Sequence, residues 1–495
     1  MKDQLLKGTL ILTIAGFVTR LIGFVYRIFL AGELGEVNLG IYQLVFPVYS
    51  ICFTIYAAGL QTGVSQMISH QPPQNHGQIL KAGILLSLCL SLGLSFFIFS
   101  FRHEIAISFL GTKETAPLLL ILSGIFPICG ITSLINGYFY GINQASIPAI
   151  TQILEQLFRV AFVFILCFYD LLSVPSIYIA VGGLLAGELV SNMYNITRLR
   201  KRMSLGWLFS SRAQFRNVLR ISLPLSGTKL IVAVLSSVES VLIPPILCQY
   251  GYSMTDALAL YGILTGVVLP FILFPGTITN SLSVLLLPAI SRASGTNQEH
   301  HVRTTSSVTV RYSLLLGVIT SAVFLNFGTD IGIYLFHSSN AGKLLTLLAF
   351  LCPFLYVTTT LGSIINGLGK TGVTFTITVF GLVIRIACLF LLTPRYGIFG
   401  YLFGLLCSQI TICLFHGIYL MKKTKIHCNL SKYFVWPFIF SVSILYIGRI
   451  AGRWLIDKTG IHLLAYGALI PVLLAILIYF YKFRLITFRD IRFPH

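Results

Sequence analysis

Residues 5–31, LLKGTLILTIAGFVTRLIGFVYRIFLA, form the segment from which the rest of the chain is interpreted. The segment has the length and apolar composition of a membrane-spanning helix, yet it contains Arg20 and Arg27 and no acidic residue. A spacing of seven residues places two side chains within about 20° of the same helix face. An arginine near the middle of a span costs roughly 2.5–3.5 kcal/mol on insertion scales. We therefore expect this face to line a polar cavity, where it would suit an anionic ligand.

The composition predicts an all-α polytopic membrane protein. Apolar residues make up 56% of the 495 residues, charged residues make up 10%, and the mean hydropathy is +0.89. Apolar runs of helix-spanning length recur along the whole chain, separated by short polar breaks. The predicted spans number about fourteen: 5–31, 41–69, 78–101, 115–141, 146–169, 174–197, 216–247, 257–291, 304–328, 343–368, 372–393, 397–421, 432–452 and 461–482.

The basic residues predict the orientation of these spans. With the N-terminus in the cytoplasm, 22 of the 34 lysines and arginines fall in inner segments, 7 fall in outer loops and 5 lie inside spans. This asymmetry follows the positive-inside rule. We therefore expect a multi-pass membrane protein with both termini in the cytoplasm; the family resemblance described below implies the bacterial cell membrane. The same distribution explains the net charge of +20 without nucleic acid as a partner.

The longest polar break, residues 198–216, follows the sixth span and predicts a division into two lobes. We predict an N-terminal lobe at 1–200, a basic cytoplasmic linker at 201–215, a C-terminal lobe at 216–421, and spans 13 and 14 with a basic cytoplasmic tail at 422–495.

An internal repeat supports these lobes. A shift of 226 residues aligns Pro127 with Pro353, Gly141 with Gly367, and Arg159 with Arg385. Two six-helix lobes in the same orientation are related by a pseudo-two-fold axis along the membrane normal.

Glu155 and Arg159 in the fifth span are spaced i, i+4, which favours an ion pair within one helix. The pair admits two interpretations. It either neutralises itself where the lobes meet, or it forms a polar wall of a substrate cavity. Arg385 lacks such an acid, because Gly381 occupies the position that corresponds to Glu155.

Three further polar residues belong to the predicted site. Lys229 and Glu239 lie in the seventh span, which the repeat makes equivalent to the first span. We predict Lys229 as a substrate-binding cation, and Glu239 as either an ion-coupling site or a counter-charge for Arg20 or Arg27. Gln61, in a glycine-weakened part of the second span, is a further substrate-binding candidate, with a bend beside small-residue packing as the alternative.

Enzyme chemistry has little support in the sequence. The chain contains no HExxH, GxSxG or P-loop motif and no CxxC pair, and its ten cysteines are scattered singly. We therefore predict a protein that is not an enzyme and that has no metal site and no cofactor.

Several strings resemble the stage V sporulation protein B family. They include LLKGTLIL, VTRLIGFVYR, GIYQLVFPVYS, GLQTGVSQMIS and NGYFYGINQASIPAITQILEQLFRVAF, and the resemblance weakens after about residue 420. The chain departs from the family pattern at Gln66 and His70, and it has Ile263 where the family has the acid of a YGE motif. It also lacks the arginines that the related lipid II flippases carry on helices 2 and 8.

The resemblance implies a flippase of the multidrug/oligosaccharidyl-lipid/polysaccharide exporter superfamily that works by alternating access. Its substrate would be an undecaprenyl-pyrophosphate-linked oligosaccharide, such as the peptidoglycan precursor lipid II for the spore cortex. In lipid II flippases, arginines on the first helix serve the pyrophosphate. Arg20 matches one of these positions, and Arg27 lies one residue from the other. We further expect a monomer whose partners are membrane lipids and proteins of cell-wall synthesis.

The sequence leaves other functions open. A cation-coupled multidrug exporter of the same superfamily would prefer acids in its cavity. A membrane-embedded polyprenyl-linked glycosyltransferase would need longer outer loops with acidic or histidine residues.

Overall fold

The computed structural model describes residues 2–169, 173–201, 212–296, 298–424, 429, 431–459, 469–483 and 485. Every regular element in this part of the chain is a helix. The first half contains α1 Lys2–Phe53, α2 Gly59–His70, α3 Pro73–Glu104, α4 Thr115–Gly141, α5 Ser146–Phe168, α6 Ser176–Arg200, α7 Arg212–Tyr250 and α8 Met254–Gly262. The second half contains α9 Leu269–Leu273, α10 Gly276–Gly295, α11 Glu299–Phe336, α12 Ser339–Leu348, α13 Cys352–Gly367, α14 Thr371–Tyr396, α15 Ile398–Thr424, α16 Trp436–Thr459 and α17 Leu469–Lys482.

The helices confirm the predicted fold class. Among the described residues, 12 helices are long and apolar enough to cross a membrane. The first of them, Ile11–His70, holds the two spans predicted at 5–31 and 41–69, so these 12 helices account for thirteen predicted spans. The described part of the fourteenth is α17, since residues 460–468 lie outside the described part.

The first two spans are separated by a backbone break at Gly35. Its φ of 70° and ψ of 171° are non-helical, and this positive φ favours glycine. The two spans are therefore continuous in sequence but distinct in direction.

Two π-helical turns interrupt the predicted second and eighth spans. One is Thr54–Ala58, between α1 and α2, and the other is Ile263–Val268, between α8 and α9. A π-helical turn inserts an extra residue, changes the hydrogen-bond register and is frequent at functional sites. Carbonyl oxygens of both turns accept hydrogen bonds from cationic side chains, as described below.

The chain forms two compact units. The first comprises residues 1–267 and 389–398, and the second comprises residues 268–388 and 399–495. The core of the first unit is built from α2, α3, α4 and α7, with Val64, Ile79, Leu134 and Val218 fully buried. Thus α7 packs with the first unit, although the sequence assigns it to the second lobe. The lobe boundary at 201–215 stays a prediction, and residues 202–211 lie outside the described part.

In the second unit, α16 and α17 pack against α11. Leu315 and Ala322 of α11 share a buried cluster with Ile476 and Phe480 of α17. An ion pair joins Arg449 of α16 to Asp330 of α11 at 2.9 Å. The predicted spans 13 and 14 are thus attached by an apolar core and an ion pair at one end.

Two glycines allow α1 and α8 to approach closely. Gly40 lies against the backbone of Leu258, and a Cβ on Gly262 would lie 2.6 Å from the carbonyl oxygen of Glu36 and 2.7 Å from Cα of Gly40. Because these neighbours are backbone atoms, an added methyl group would force the two helices apart.

Overpacking usually costs about 1–3 kcal/mol, and alanine recovers about 1 kcal/mol through its higher helix propensity. We therefore expect Gly262→Ala to lower the free energy of unfolding by up to about 2 kcal/mol, and Gly227→Ala to leave it unchanged or raise it. The matched control is Gly227→Ala in α7, where a Cβ would meet no described atom within 4 Å. Thermal unfolding in detergent measures both variants. Equal melting temperatures for Gly262→Ala and Gly227→Ala would contradict the packing argument.

Candidate functional site

The arginine face of α1 lies beside polar residues of α5. Gly23 falls between Arg20 and Arg27 in the sequence, and a Cβ on it would lie 3.3 Å from Nε2 of Gln156. Arg20 is exposed, and it forms no hydrogen bond or ion pair with the side chains that the structure describes. Arg27 is half-buried. Of the two cations on the predicted helix face, Arg20 is therefore available to a ligand, whereas Arg27 is held by the hydrogen bond described next.

Arg27 is engaged by a π-helical turn. Its Nη1 donates a hydrogen bond to the carbonyl oxygen of Gly266 at 3.3 Å. Gly266 belongs to the turn Ile263–Val268. Arg27 also lies near Tyr26, Tyr42 and Arg159. We call this contact between Arg27 and Gly266 the first latch.

Lys229 makes the corresponding contact with the other π-helical turn. Its Nζ donates to the carbonyl oxygen of Ala58 at 2.7 Å and to Oγ1 of Thr62 at 2.8 Å. Ala58 is the last residue of the turn Thr54–Ala58. We call this contact the second latch. In both latches a cation on one span binds a carbonyl oxygen of a π-helical turn in another span.

Glu155 and Arg159 form the ion pair that their spacing predicts. The Arg159 side chain is 19% exposed and that of Glu155 is 25% exposed, so the pair is largely removed from the surface. Gln156 accepts a hydrogen bond from Arg159 at 3.4 Å. Arg159 also interacts electrostatically with Tyr42 and Glu188. The pair therefore belongs to a larger polar cluster in the first unit.

Glu188 of α6 is absent from the sequence-predicted site, although the structure places it in this cluster. The residue is 6% exposed, and its Oε2 has no hydrogen-bond partner among the described residues. It interacts electrostatically with Glu155 and Arg159. Two acids and one arginine therefore share this part of the first unit. The spacing of Glu188, Asn192 and Asn195 at i, i+4 and i+7 is the sequence signal that points to one polar helix face.

A hydrogen-bonded network continues this cluster between α4, α5 and α6. Thr151 donates to Oδ1 of Asn195 at 2.7 Å, and Asn195 donates to Oδ1 of Asn136 at 3.0 Å. Asn192 donates to Oγ1 of Thr132 at 3.1 Å. Thr151 lies four residues before Glu155, and Asn192 lies four residues after Glu188, so both helices continue their polar faces. These residues satisfy one another inside the first unit.

Gln61 and Glu239 also lie in the first unit, apart from the ion pair on α5. The backbone of Gln61 packs against α4, since a Cβ on Gly137 would lie 2.7 Å from the Gln61 carbonyl oxygen. This is the close packing that small residues allow. Glu239 is 2% exposed and lies near Tyr261. The substrate-binding role of Gln61 and the coupling role of Glu239 stay predictions.

Arg385 lies in α14 and belongs to the second unit. Gly381, the repeat equivalent of Glu155, leaves room for α15: its carbonyl oxygen accepts a hydrogen bond from Ser408 at 2.7 Å. A side chain at this position would meet Ile412. Close packing between α14 and α15 thus explains why the second half has no acid at this position.

The charged groups of the first unit suit an anionic ligand better than a metal. Within the described residues, no group of three or more histidine, cysteine, aspartate or glutamate side chains is arranged to hold a metal ion. Arg20 offers up to five N–H donors in a planar fork that matches phosphate oxygens.

Comparison with family models gives two matches. The model described as polysaccharide biosynthesis protein matches residues 5–294. The MatE model matches residues 247–391.

Individual relatives agree with these matches. Stage V sporulation protein B of Bacillus subtilis (strain 168) is 28% identical over 450 residues, which cover 87% of this chain and 86% of that protein. Among solved structures, lipid II flippase MurJ in an inward closed conformation aligns with a TM-score of 0.70 at 16% identity, covering 96% of this chain and 99% of MurJ. An inward-facing multidrug resistance MATE family transporter of the MOP superfamily aligns with a TM-score of 0.63 at 18% identity, covering 84% of this chain and 98% of the transporter. The structural likenesses confirm the predicted fold.

Proposed function

The chain belongs to the polysaccharide biosynthesis protein family, and we propose that it is a flippase that moves an undecaprenyl-pyrophosphate-linked oligosaccharide across the membrane by alternating access. Two of its structural neighbours are a lipid II flippase and a multidrug resistance transporter, which supports a transport function. The proposed cargo is a peptidoglycan precursor such as lipid II, used in sporulation. Movement of such a lipid breaks no covalent bond, so the chain needs binding groups rather than catalytic ones.

One observation carries this proposal: an exposed arginine within an apolar helix, with no partner among the described side chains. Arg20 meets this description, and it shares its helix face with Arg27. An unneutralised cation in a span is expensive unless it serves a pathway or a ligand. A pyrophosphate carries negative charge on closely spaced oxygens, which complements the positive charge of Arg20. Bidentate contacts between arginine and phosphate are among the stronger hydrogen bonds.

The other cations take supporting roles in this proposal. Arg27 and Lys229 exchange their carbonyl partners for phosphate oxygens when cargo enters. Arg159 contributes its positive charge, and its ion pair with Glu155 holds the Arg159 side chain in position. Arg385 and Gln61 are further proposed contacts. Glu239 is the proposed site of ion coupling. The prenyl tail stays in the bilayer throughout.

The proposed setting follows the charge distribution of the chain. The protein is a multi-pass membrane protein, and we assign it to the bacterial cell membrane with both termini in the cytoplasm. In this orientation, most of its basic residues face the anionic inner surface. It acts as a monomer on a lipid-linked oligosaccharide delivered from cytoplasmic enzymes, close to proteins of cell-wall synthesis.

Reconstitution tests the proposal. Wild-type protein in liposomes is given fluorescent lipid II on one side, and the fraction that reaches the other side is measured with a membrane-impermeant quencher. We expect translocation above that of protein-free liposomes, and no export of cationic dyes under an imposed ion gradient. Dye export without movement of any prenyl-pyrophosphate sugar would replace the proposal with the multidrug-exporter alternative.

A further inference from the structure

A cavity of about 470 Å³ lies in the second unit, at the ends of α16 and α17. Its volume falls within the range of about 300–1,000 Å³ that is usual for small-molecule sites. Asn429, Ser431 and Lys432 line it, and no acidic residue is among the described residues that line it. Oδ1 of Asn429 accepts a hydrogen bond from the backbone N–H of Lys432 at 3.1 Å, which fixes the start of this segment. The described lining therefore includes one ammonium group and two neutral polar side chains.

Aromatic side chains also line the cavity. Trp436, Tyr479 and Phe483 line it, and the rings of Tyr479 and Phe483 lie 4.6 Å apart. Tyr479 is held in place by stacking on Phe440, with 3.9 Å between the ring centroids. Trp436 is 61% exposed, as expected for an aromatic residue at a membrane–water interface. The lining thus combines polar and aromatic side chains, as a membrane–water interface combines polar and apolar groups.

The surrounding sequence is strongly basic. Lys422, Lys423, Lys425 and Lys432 lie within eleven residues that contain no acid. Lys482 ends α17, next in sequence to Phe483, which lines the cavity. In the orientation predicted from the charge distribution, this end of both helices faces the cytoplasm. A basic pocket between transmembrane helices at that surface is the usual setting for an anionic lipid headgroup.

We propose that this cavity binds the phosphate headgroup of an anionic glycerophospholipid of the inner leaflet, such as phosphatidylglycerol. Lys432 pairs with the phosphate, Ser431 and Asn429 offer hydrogen bonds to the phosphate and glycerol oxygens, and the aromatic side chains contact the glycerol backbone and the first acyl carbons. The site shares no lining residue with the proposed cargo contacts. It holds a resident lipid against the attached helices α16 and α17.

Tryptophan fluorescence tests this proposal directly. The chain has 3 tryptophans, so Trp207→Phe with Trp454→Phe leaves Trp436 as the only emitter. The full-length variant is reconstituted in phosphatidylcholine bilayers, and brominated phosphatidylglycerol or brominated phosphatidylcholine is added at equal mole fractions. We expect brominated phosphatidylglycerol to quench Trp436 with an apparent affinity about fivefold higher, since one lysine near an anionic lipid contributes about that factor.

Substitutions separate a specific site from general surface charge. Lys432→Gln should abolish the preference for phosphatidylglycerol, and Lys432→Arg should retain it. The matched control is Lys423→Gln, an exposed lysine that does not line the cavity, and it should leave the preference unchanged. Equal quenching by both lipids, or a preference that survives Lys432→Gln, would overturn the proposal. The same holds if Lys423→Gln removes the preference as fully as Lys432→Gln does.

A competition arm distinguishes a resident phospholipid from cargo. Unlabelled phosphatidylglycerol should displace the brominated lipid at a lower mole fraction than undecaprenyl pyrophosphate does. The reverse order would assign the cavity to the cargo and overturn the proposal. Because no transport is measured, the outcome does not depend on whether the chain is a flippase.

Discussion

Arg20→Ala is expected to reduce the translocation of a prenyl-pyrophosphate sugar by roughly 10–100-fold. A hydrogen bond to a charged group contributes about 1.5–3 kcal/mol, and each 1.36 kcal/mol corresponds to about tenfold in rate. Arg20 is exposed and has no partner among the described side chains, so its loss removes cargo contacts without leaving a buried group unpaired. The change should therefore affect transport much more than folding.

Two further variants sharpen this test. Arg20→Lys keeps the charge and loses the planar fork, so its transport rate should lie between those of the wild type and Arg20→Ala. Val25→Ala is the control, because Val25 lies on the same helix and is 57% exposed. Initial rates in liposomes with matched protein content give the comparison. Wild-type rates in Arg20→Ala would remove Arg20 from the binding site while leaving the proposed transport intact.

The second prediction concerns the charge cluster on α5 and α6. We expect Arg159→Ala to lower the free energy of unfolding by about 3 kcal/mol, within the range for loss of one partner of a buried ion pair. The change leaves Glu155 and Glu188 as neighbouring acids without their shared cation. Glu155→Ala should be milder, because Glu188 remains to balance Arg159.

The decisive result is that Arg159→Ala lowers the free energy of unfolding more than Glu155→Ala does. Adding Glu188→Gln to Arg159→Ala should restore part of the lost stability, since it removes one of the two facing acids. Arg198→Ala, at the exposed end of α6, should leave the melting temperature unchanged. Thermal unfolding in detergent compares the set. If Glu155→Ala proved more destabilising than Arg159→Ala, Glu188 would not share the charge of Arg159.

The sequence predicts those features of the fold that depend on local pattern. Apolar runs of spanning length predicted most of the spans, because a bilayer forces backbone hydrogen bonds to be satisfied within each segment. The bounds were less accurate: α11 ends at Phe336 rather than at 328, and the predicted span 257–291 is divided among α8, α9 and α10. The spacing of Glu155 and Arg159 predicted their ion pair, since neighbours at i, i+4 meet on any helix. The helix ends at Gly141 and Gly367 also follow the internal repeat.

Features that depend on contacts between distant segments were not predictable in this way. The carbonyl partner of Arg27 lies 239 residues away, in a π-helical turn that no local pattern announces. Gln61 was singled out for its polarity, but its backbone packs against Gly137. Glu188 was not assigned to the site, because the spacing of polar residues on α6 marks a polar face but does not show that this face meets Glu155 and Arg159 of α5.

The two latches also resemble the contacts of a symmetric dimer. Arg27 of the first predicted span binds a carbonyl oxygen in the eighth, and Lys229 of the seventh binds one in the second. Exchange of like contacts is what an isologous interface between two identical subunits produces, where each subunit gives what it receives. The shift of 226 residues does not align Arg27 with Lys229, so the likeness is one of arrangement and not of aligned residues. Each latch can therefore be altered by substitution independently of the other.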